Sequence, residues 1–306
     1  MARYIVRMRT NDTGEAVRER VAIDVPAGGT IAGTVRTPSA RPPAAVVVIH
    51  PATAVPERLY SGFADHLAAH GFAVVTYDYR GTGASGNPRT HRDLRMRDWM
   101  ETDVPTVAAW ARGRFPDPPH LAVGHSIGGH ALALANGTEG LAGFVAVASH
   151  AGVTKTIPAA SERLRVWAIL RVLGPVTSHL FGYVPGRRLG VGEDMPGAAM
   201  REWSRWSRSP GYFFDDPGMN ARERAASTTT DVLAIGFSDD PWATPAQIDA
   251  IFDRLTAAEV ERRTYTPEQG GVAAIGHTGF FRRALRDTLW GDVRDWLRGK
   301  AGLPHG

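Results

Sequence analysis

The feature that most limits the folds open to this sequence is a regular alternation of strand-like and helix-like segments. A continuous β-branched run at 44–49 predicts a strand that is buried on both faces, and residues 72–77 are predicted to form the next strand. The segments 57–70 and 98–112 space their apolar residues as helices do. Strand–helix alternation with short connections specifies an α/β fold, with a mostly parallel twisted sheet and helices on both faces.

The same pattern extends over most of the remaining chain. Two strands around the turn residues 26–29 predict a hairpin near the beginning. Further strands are predicted at 121–123, 144–148, 232–237 and 261–265, and further helices at 127–135, 245–255 and 280–298.

The alternation stops between residues 151 and 227, a stretch that we call the inserted segment. It holds Trp167, Trp203 and Trp206, three of the eight tryptophans of the chain. Residues 163–173 predict an amphipathic helix with its arginines toward water; we prefer packing of its apolar side on the core, and contact with a membrane surface is the alternative. We therefore expect a discontinuous core domain, residues 1–150 and 228–306, interrupted by the inserted segment at 151–227.

The strongest chemical signal is the run Gly124-His125-Ser126-Ile127-Gly128-Gly129, which joins a predicted strand to a predicted helix. A serine on so sharp a turn has a strained backbone, and Gly124 and Gly128 let the flanking backbones approach each other. The turn lifts the Ser126 hydroxyl above the carboxyl ends of the strands, where open α/β sheets bind ligands. Ser126 is therefore the candidate nucleophile, and the alternative is a glycine-rich turn with an incidental serine.

A serine nucleophile needs a base, and the base needs an acid that orients it. His277 lies in a loop between the last predicted strand and the last predicted helix, where the base is expected. The loop after the strand 232–237 offers two acids, Asp239 and Asp240. We prefer Asp240 because it lies nearer the tip of the loop, and Asp239 is the alternative acid.

The negative charge that develops on a substrate carbonyl needs two N–H donors, which form an oxyanion hole. One donor is the backbone amide of Ile127, directly after Ser126. The other is expected from the loop after the strand 44–49, where Pro51 has no N–H to donate. The sequence leaves Ala52 and Thr53 as the candidates for the second donor.

Composition excludes several other chemistries. The chain has no cysteine, which rules out disulfides, thiolate metal sites and a cysteine nucleophile. We expect no metal and no cofactor. His66 and His70 have no third ligand nearby, and the glycines at 81, 83 and 86 do not lead into a helix as a dinucleotide-binding loop would.

The charge distribution and the apolar runs also bear on partners. The 35 basic and 31 acidic residues give a net charge of +4, and they are interleaved, so nucleic acid is not an expected partner. No stretch approaches 18 uninterrupted apolar residues, and residues 1–10 lack the apolar run of a signal peptide. We therefore expect a cytoplasmic protein without integral membrane association.

Beside the run around Ser126, the loop Asp78-Tyr79-Arg80-Gly81-Thr82-Gly83-Ala84-Ser85 resembles the Asp-x-Arg-Gly-x-Gly-x-Ser loop after the fourth strand of α/β-hydrolases. The resemblance covers most of the chain and is nearest to the serine-aminopeptidase-like and monoglyceride-lipase-like hydrolases. His50-Pro51 departs from the commoner His-Gly of these proteins. The resemblance implies a cap at the inserted segment, whose aromatic residues either line an apolar acyl pocket or pack the cap on the core.

Together these features predict a serine hydrolase that cleaves a carboxylic ester, or a related acyl bond, of a small molecule with an apolar portion. Ser126 attacks the carbonyl to form an acyl-enzyme, His277 transfers the proton, Asp240 orients His277, and water releases the acyl group. One alternative is an acyltransferase or cyclase that uses the same triad. Another is a ligand-binding protein without catalysis, which has no need of all three triad residues in order.

Overall fold

The computed structural model describes residues 7–8, 16–190 and 192–304. Most of residues 1–10, from which we expect no apolar leader, lie outside these ranges. His305, in the terminal tail, lies outside them as well.

One mixed sheet forms the centre of the molecule. Its strands are β1 (Arg7–Met8), β2 (Val17–Asp24), β3 (Thr30–Thr37), β4 (Ala45–His50), β5 (Phe72–Tyr77), β6 (His120–His125), β7 (Leu141–Val147), β10 (Val232–Phe237) and β11 (Val260–Tyr265). Between β7 and β10, a separate two-stranded hairpin comprises β8 (Tyr183–Val184) and β9 (Met195–Pro196). The order across the sheet is β1-β2-β3-β5-β4-β6-β7-β10-β11.

The sheet is parallel from β5 to β11 and antiparallel from β1 to β5. Every residue of β4, β5, β6 and β10 is buried, as strands covered on both faces require. The predicted α/β class with a mostly parallel sheet is therefore confirmed. The carboxyl ends of β4, β6, β10 and β11 meet at one edge, and the loops that leave them carry the residues predicted to be functional.

Helices cover the sheet and make up much of the inserted segment. They are α1 (Ser61–Ala69), α2 (Met96–Asp98), α3 (Val104–Arg114), α4 (Ile127–Ala133), α5 (Ala160–Ala168), α6 (Gly174–Phe181), α7 (Gly186–Leu189), α8 (Gly197–Trp206), α9 (Ala221–Ser227), α10 (Pro245–Phe252), α11 (Pro267–Gly270) and α12 (Leu289–Lys300). A π-helical turn at Trp99–Asp103 joins α2 to α3, and another at Ile169–Leu173 joins α5 to α6. In the described ranges, no helix has both the length and the apolar character that crossing a bilayer requires.

The prediction of one helix over 280–298 is wrong in its first half. Two short 3₁₀ turns, Gly279–Phe281 and Arg283–Leu285, precede α12, which begins only at Leu289. Phe280 packs against Phe63 at a ring distance of 5.4 Å, and its carbonyl oxygen accepts a hydrogen bond from the Trp290 indole at 2.6 Å. These tertiary contacts hold the chain out of the helical path that its apolar spacing predicts.

The predicted packing of the helix at 163–173 is also wrong in part. Leu170 is buried, but Leu164 is 65% exposed and Trp167 is 47% exposed. The helical prediction itself agrees with α5 and the π-helical turn after it. Part of the apolar side of this helix therefore faces outward instead of packing on the core.

The loop after β5 is held by buried polar contacts. One carboxylate oxygen of Asp78 accepts the N–H of Glu57 at 2.7 Å, and the other accepts the N–H of Ala84 at 2.8 Å. Arg80 forms a buried ion pair with Asp103 at 2.7 Å. The loop thus fixes the carboxyl end of β5 without contributing to the site described next.

Candidate active site

Ser126 occupies a strained turn between β6 and α4. Its backbone has φ +51° and ψ −112°, in the left-handed half of conformational space that non-glycine residues avoid. A Cβ atom at Gly124 would lie 2.4 Å from the backbone nitrogen of Gly129, and one at Gly128 would lie 2.3 Å from the carbonyl oxygen of His50. Only glycine fits these two positions, and the close approach brings α4 against the end of β4.

His277 is joined to Asp240 by a partly buried hydrogen bond. The Nδ1–H of His277 donates to Oδ2 of Asp240 at 2.8 Å, and Asp240 is 3% exposed. The other carboxylate oxygen accepts the backbone N–H groups of Trp242 at 2.9 Å and Ala243 at 3.2 Å. Burial alone would raise the pKa of Asp240, but His277 and the backbone donors outweigh burial and hold that pKa at about 2.

Asp239, the alternative acid, contacts the same loop through its backbone. Its carboxylate accepts the N–H of Ile275 at 2.8 Å and that of Gly276 at 3.1 Å. The structure therefore brings Asp240 to the imidazole of His277 and Asp239 to the two residues before it. Both acids hold the His277 loop, by different contacts.

Ser126 and His277 line one cavity of about 340 Å³. No hydrogen bond joins the Ser126 hydroxyl to the His277 imidazole in the described part of the chain; contacts of this kind are often long before substrate binds. Ala52, Thr53 and Ile127 line the same cavity. Much of the rest of its lining comes from the inserted segment, through Val153, Ile157, Arg165, Val166, Ile169, Leu170, Gly190, Gly192, Trp203 and Tyr212.

The two candidates for the second oxyanion donor differ in their hydrogen bonds. The N–H of Ala52 donates to the hydroxyl oxygen of Tyr60 at 2.8 Å and is therefore occupied. Among the described residues, no acceptor pairs with the N–H of Thr53, and none pairs with that of Ile127 at the first position of α4. These two amides are thus available to a ligand in the cavity.

Tyr60 also belongs to a hydrogen-bonded chain that the sequence did not predict. The Nε2–H of His125 donates to the carbonyl oxygen of His277 at 2.9 Å. Burial lowers the pKa of His125 to about 3, so the ring is neutral and its Nδ1 is an acceptor. The Tyr60 hydroxyl donates to this Nδ1 at 2.9 Å while accepting the N–H of Ala52. One continuous chain therefore connects the Ala52–Thr53 loop to the backbone of His277. We call it the Tyr60–His125 chain.

Two more aromatic side chains flank His277. The ring of His150 lies 5.2 Å from the His277 ring, and the ring of Trp242 lies 5.1 Å away. Burial lowers the pKa of His150 to about 4, which keeps it neutral beside the candidate base. The Trp242 indole donates to Glu162 of α5 at 2.7 Å and so links the His277 environment to the inserted segment. In the sequence, the only indication of the Trp242 contact is that this tryptophan lies two residues after the candidate acid Asp240.

The remaining polar residues of the sequence analysis lie apart from these groups. His50 is buried, and its Nδ1 pairs with the Tyr77 hydroxyl at 2.8 Å, which braces the end of β4. The rings of His66, on α1, and His70, directly after it, lie 4.4 Å apart and are tilted by 41°. No group of three His, Asp or Glu residues is placed to hold a metal ion within the described ranges.

Comparison with known proteins agrees with this architecture. Residues 40–190 match the model of the serine aminopeptidase (S33) family. No curated protein matches the sequence significantly.

Several solved structures share the fold at low sequence identity. A soluble variant of monoglyceride lipase from Saccharomyces cerevisiae, in complex with a substrate analog, is 15% identical with a TM-score of 0.67, over 98% of this chain and 99% of that chain. An esterase from Pyrococcus furiosus is 14% identical with a TM-score of 0.62, over 98% and 97%. A thermostable carboxyl esterase from Bacillus coagulans, in complex with glycerol, is 17% identical with a TM-score of 0.57, over 93% and 99%.

The chain therefore has the α/β-hydrolase fold of these esterases and this lipase, and its residues 40–190 resemble the serine aminopeptidase (S33) family.

Proposed function

We propose that the protein is a serine hydrolase that cleaves carboxylic esters of small molecules with an apolar portion. The observation that carries the proposal is the convergence, on one cavity, of a strained serine, a histidine paired with a buried aspartate, and two unpaired amides. Folding alone does not explain a strained backbone at the serine, a buried carboxylate beside a histidine, or backbone amides without an acceptor. The match of residues 40–190 to the serine aminopeptidase (S33) family, and the esterases and lipase that share the fold, support ester hydrolysis in general.

In the proposed mechanism, the Ser126 hydroxyl attacks the ester carbonyl and His277 accepts its proton. Asp240 fixes the tautomer of His277, because its carboxylate accepts the Nδ1–H and leaves Nε2 free to act as base. The negative charge on the carbonyl oxygen is stabilised by the N–H groups of Ile127 and Thr53. His277 then gives the proton to the leaving alcohol, and a water molecule hydrolyses the acyl-enzyme by the same steps in reverse.

Thr53 is proposed in preference to Ala52 because the amide of Ala52 already donates to Tyr60. Recruiting Ala52 would require that hydrogen bond to break and would leave the buried Tyr60 oxygen short of a partner. Thr53 offers a free donor in the same loop. Ala52 then contributes by fixing the loop from which Thr53 donates.

We also propose that the inserted segment, residues 151–227, is a cap on a core formed by 1–150 and 228–306. Val166, Ile169 and Leu170, from α5 and its π-helical turn, face the same cavity as Ser126. An apolar wall of this kind suits an acyl chain, and it limits the water around the developing charge. The ester substrate is therefore expected to have an apolar acyl group rather than a charged one.

The proposal is tested by labelling with an active-site-directed fluorophosphonate, followed by turnover of chromogenic esters graded by acyl length. The wild type should be labelled, Ser126→Ala should not, and Ser161→Ala, which changes an exposed serine of α5, should be labelled as the wild type is. Ester turnover should follow the same order. Equal labelling of Ser126→Ala and wild type, or labelling without turnover of any ester in the panel, would refute the proposed activity.

A further inference from the structure

The outer surface of the inserted segment concentrates exposed apolar side chains. In the described residues, eight large apolar side chains are exposed, and seven of them lie between residues 164 and 181. They belong to α5, α6 and the π-helical turn between them, and we call them the apolar face. Leu164 is 65% exposed, Phe181 59% and Leu180 71%. Single exposed apolar residues are common on proteins, whereas a cluster on one helical element marks an interaction surface.

Next to the apolar face lies a groove with an unbalanced positive charge. Its lining includes four basic residues and no acidic one: Lys155, Arg163, Arg171 and Arg208, together with Leu164 and Trp167 of the apolar face. We call these four residues the basic groove. Arg163 donates to the carbonyl oxygen of Ile157, and Arg171 donates to backbone and hydroxyl oxygens of residues 204 and 207. The nearby Arg165, by contrast, is paired with Glu162.

None of the four basic groove residues has a carboxylate partner in the described part of the chain. Burial and the positive charge of Arg208 lower the pKa of Arg171, as expected where cations face one another without a counterion. Most other arginines of the inserted segment are paired; Arg187, for example, pairs with Glu193, and Arg222 with Asp215. No carboxylate of the described residues therefore balances the positive charge of the groove.

We propose that the apolar face and the basic groove together form a docking surface for an anionic lipid bilayer. The bilayer surface offers both of the chemistries that this surface lacks: negative headgroups for the basic groove and an acyl region for Leu164, Trp167, Leu180 and their neighbours. A second copy of this chain fits less well, because a symmetric contact would bring two unpaired basic grooves together.

One short turn, residues 153–157, contributes both to the docking surface and to the cavity of the candidate active site. Val153 and Ile157 line the cavity that contains Ser126, while Thr154 and Lys155 of the same turn line the basic groove. A bilayer docked on this surface would therefore contact the inserted segment next to the cavity wall. The docking inference does not depend on ester hydrolysis, and binding to lipid is measured without turnover.

The inference is tested by co-sedimentation of the 306-residue protein with large vesicles of phosphatidylcholine, with or without about one-third phosphatidylglycerol. The wild type should bind the anionic vesicles, and added salt should weaken binding. Lys155→Glu/Arg208→Glu should weaken partitioning at least about 30-fold, because it removes two basic residues from the bilayer contact and adds two acidic ones. Arg41→Glu/Arg286→Glu, with the same change in net charge but outside the inserted segment, should change it less than about threefold.

The apolar contribution is tested with Leu164→Gln/Leu180→Gln and with lipids brominated in their acyl chains. The leucine variant should weaken binding to anionic vesicles at least about tenfold, because two large apolar side chains no longer enter the bilayer. Brominated lipids should quench the tryptophan fluorescence of the wild type more than that of Trp167→Phe. All substituted residues are exposed, and unchanged thermal unfolding verifies folding.

Three outcomes would overturn the docking surface. The first is equal binding to neutral and anionic vesicles, or no binding to either. The second is an equal loss of binding in the Arg41→Glu/Arg286→Glu control. The third is a concentration-dependent dimer, detected by sedimentation velocity without lipid, that Leu164→Gln/Leu180→Gln abolishes.

Discussion

The Tyr60–His125 chain predicts that one buried hydroxyl supports both sides of the candidate active site. Tyr60→Phe removes the acceptor of the Ala52 N–H and the donor to Nδ1 of His125, and both contacts are fully buried. A buried polar group left without a partner costs about 1–3 kcal/mol. With two such groups, Tyr60→Phe should lower the free energy of unfolding by about 2–6 kcal/mol.

The same substitution should also lower activity in the enzyme that remains folded. Without the hydroxyl, no hydrogen-bonded chain joins the loop that carries Thr53 to His125 and, through it, to the backbone of His277. Positioning errors at a reacting centre are costly, and each 1.4 kcal/mol of lost transition-state stabilisation is about a tenfold loss of rate. We expect kcat/KM to fall about tenfold or more, mostly through kcat.

The assay combines urea unfolding with ester kinetics, normalised to active sites by fluorophosphonate titration. Tyr265→Phe is the matched control: this buried tyrosine donates to the exposed carboxylate of Asp292 at 3.2 Å. Its loss should cost less than about 1 kcal/mol and leave kcat/KM unchanged. Equal stability losses in the two variants would refute the energetic argument. A large stability loss in Tyr60→Phe with unchanged kcat/KM per active site would show that the chain is structural and does not position the site.

Three further predictions follow from the site. Asp240→Asn should lower kcat by about 10³–10⁴-fold, because an amide no longer fixes the tautomer of His277. Asp239→Asn should lower kcat only about tenfold, because Asp239 contacts the backbone of the same loop. Equal losses of kcat in steady-state assays would contradict these roles. Burial lowers the pKa of His125 and His130 to about 3 and that of His150 to about 4, below the unfolded value of 6.5. Because the unfolded state then binds more protons, the free energy of unfolding should fall as pH drops below 6.5, by about 2 kcal/mol per histidine at pH 5. A free energy of unfolding that stays flat between pH 7 and 5 would refute these directions. Ile169→Trp should fill part of the cavity and shift the preferred acyl length downward in the chromogenic ester series, while turnover of the shortest ester stays within about twofold.

Much of the architecture could be predicted because its signals are local. The strands β4 and β5 consist of apolar, mostly β-branched residues buried on both faces, and burial of that kind shows directly in the sequence. Ser126 was predictable for the same reason, since strand, glycine-rich turn and helix follow one another within a few residues. The start of α12 was not, because the packing of Phe280 and Phe281 against Phe63 joins segments more than 200 residues apart.

The site residues that the sequence did not predict act through contacts between distant parts of the chain. Asp239 and Asp240 are neighbours of the same type, and only the fold decides that one meets the His277 imidazole and the other meets backbone amides. Tyr60 is an aromatic residue in a helical pattern, where packing is the ordinary expectation. Its role follows from a hydrogen bond to His125, 65 residues later.

Gly128 determines how the predicted Ser126 turn is placed relative to the loop that carries Thr53. Because Gly128 has no side chain, α4 approaches the carbonyl oxygen of His50, to which a Cβ would come within 2.3 Å. This approach places the first turn of α4, with the free N–H of Ile127, beside the loop that carries Thr53. His125, on the other side of Ser126, reaches Tyr60 and through it the same loop. The turn that strains Ser126 therefore also sets the distance between the two amides proposed to stabilise the oxyanion. It follows that a larger residue at Gly128 should damage transition-state stabilisation even where the serine, the histidine and the aspartate are all retained.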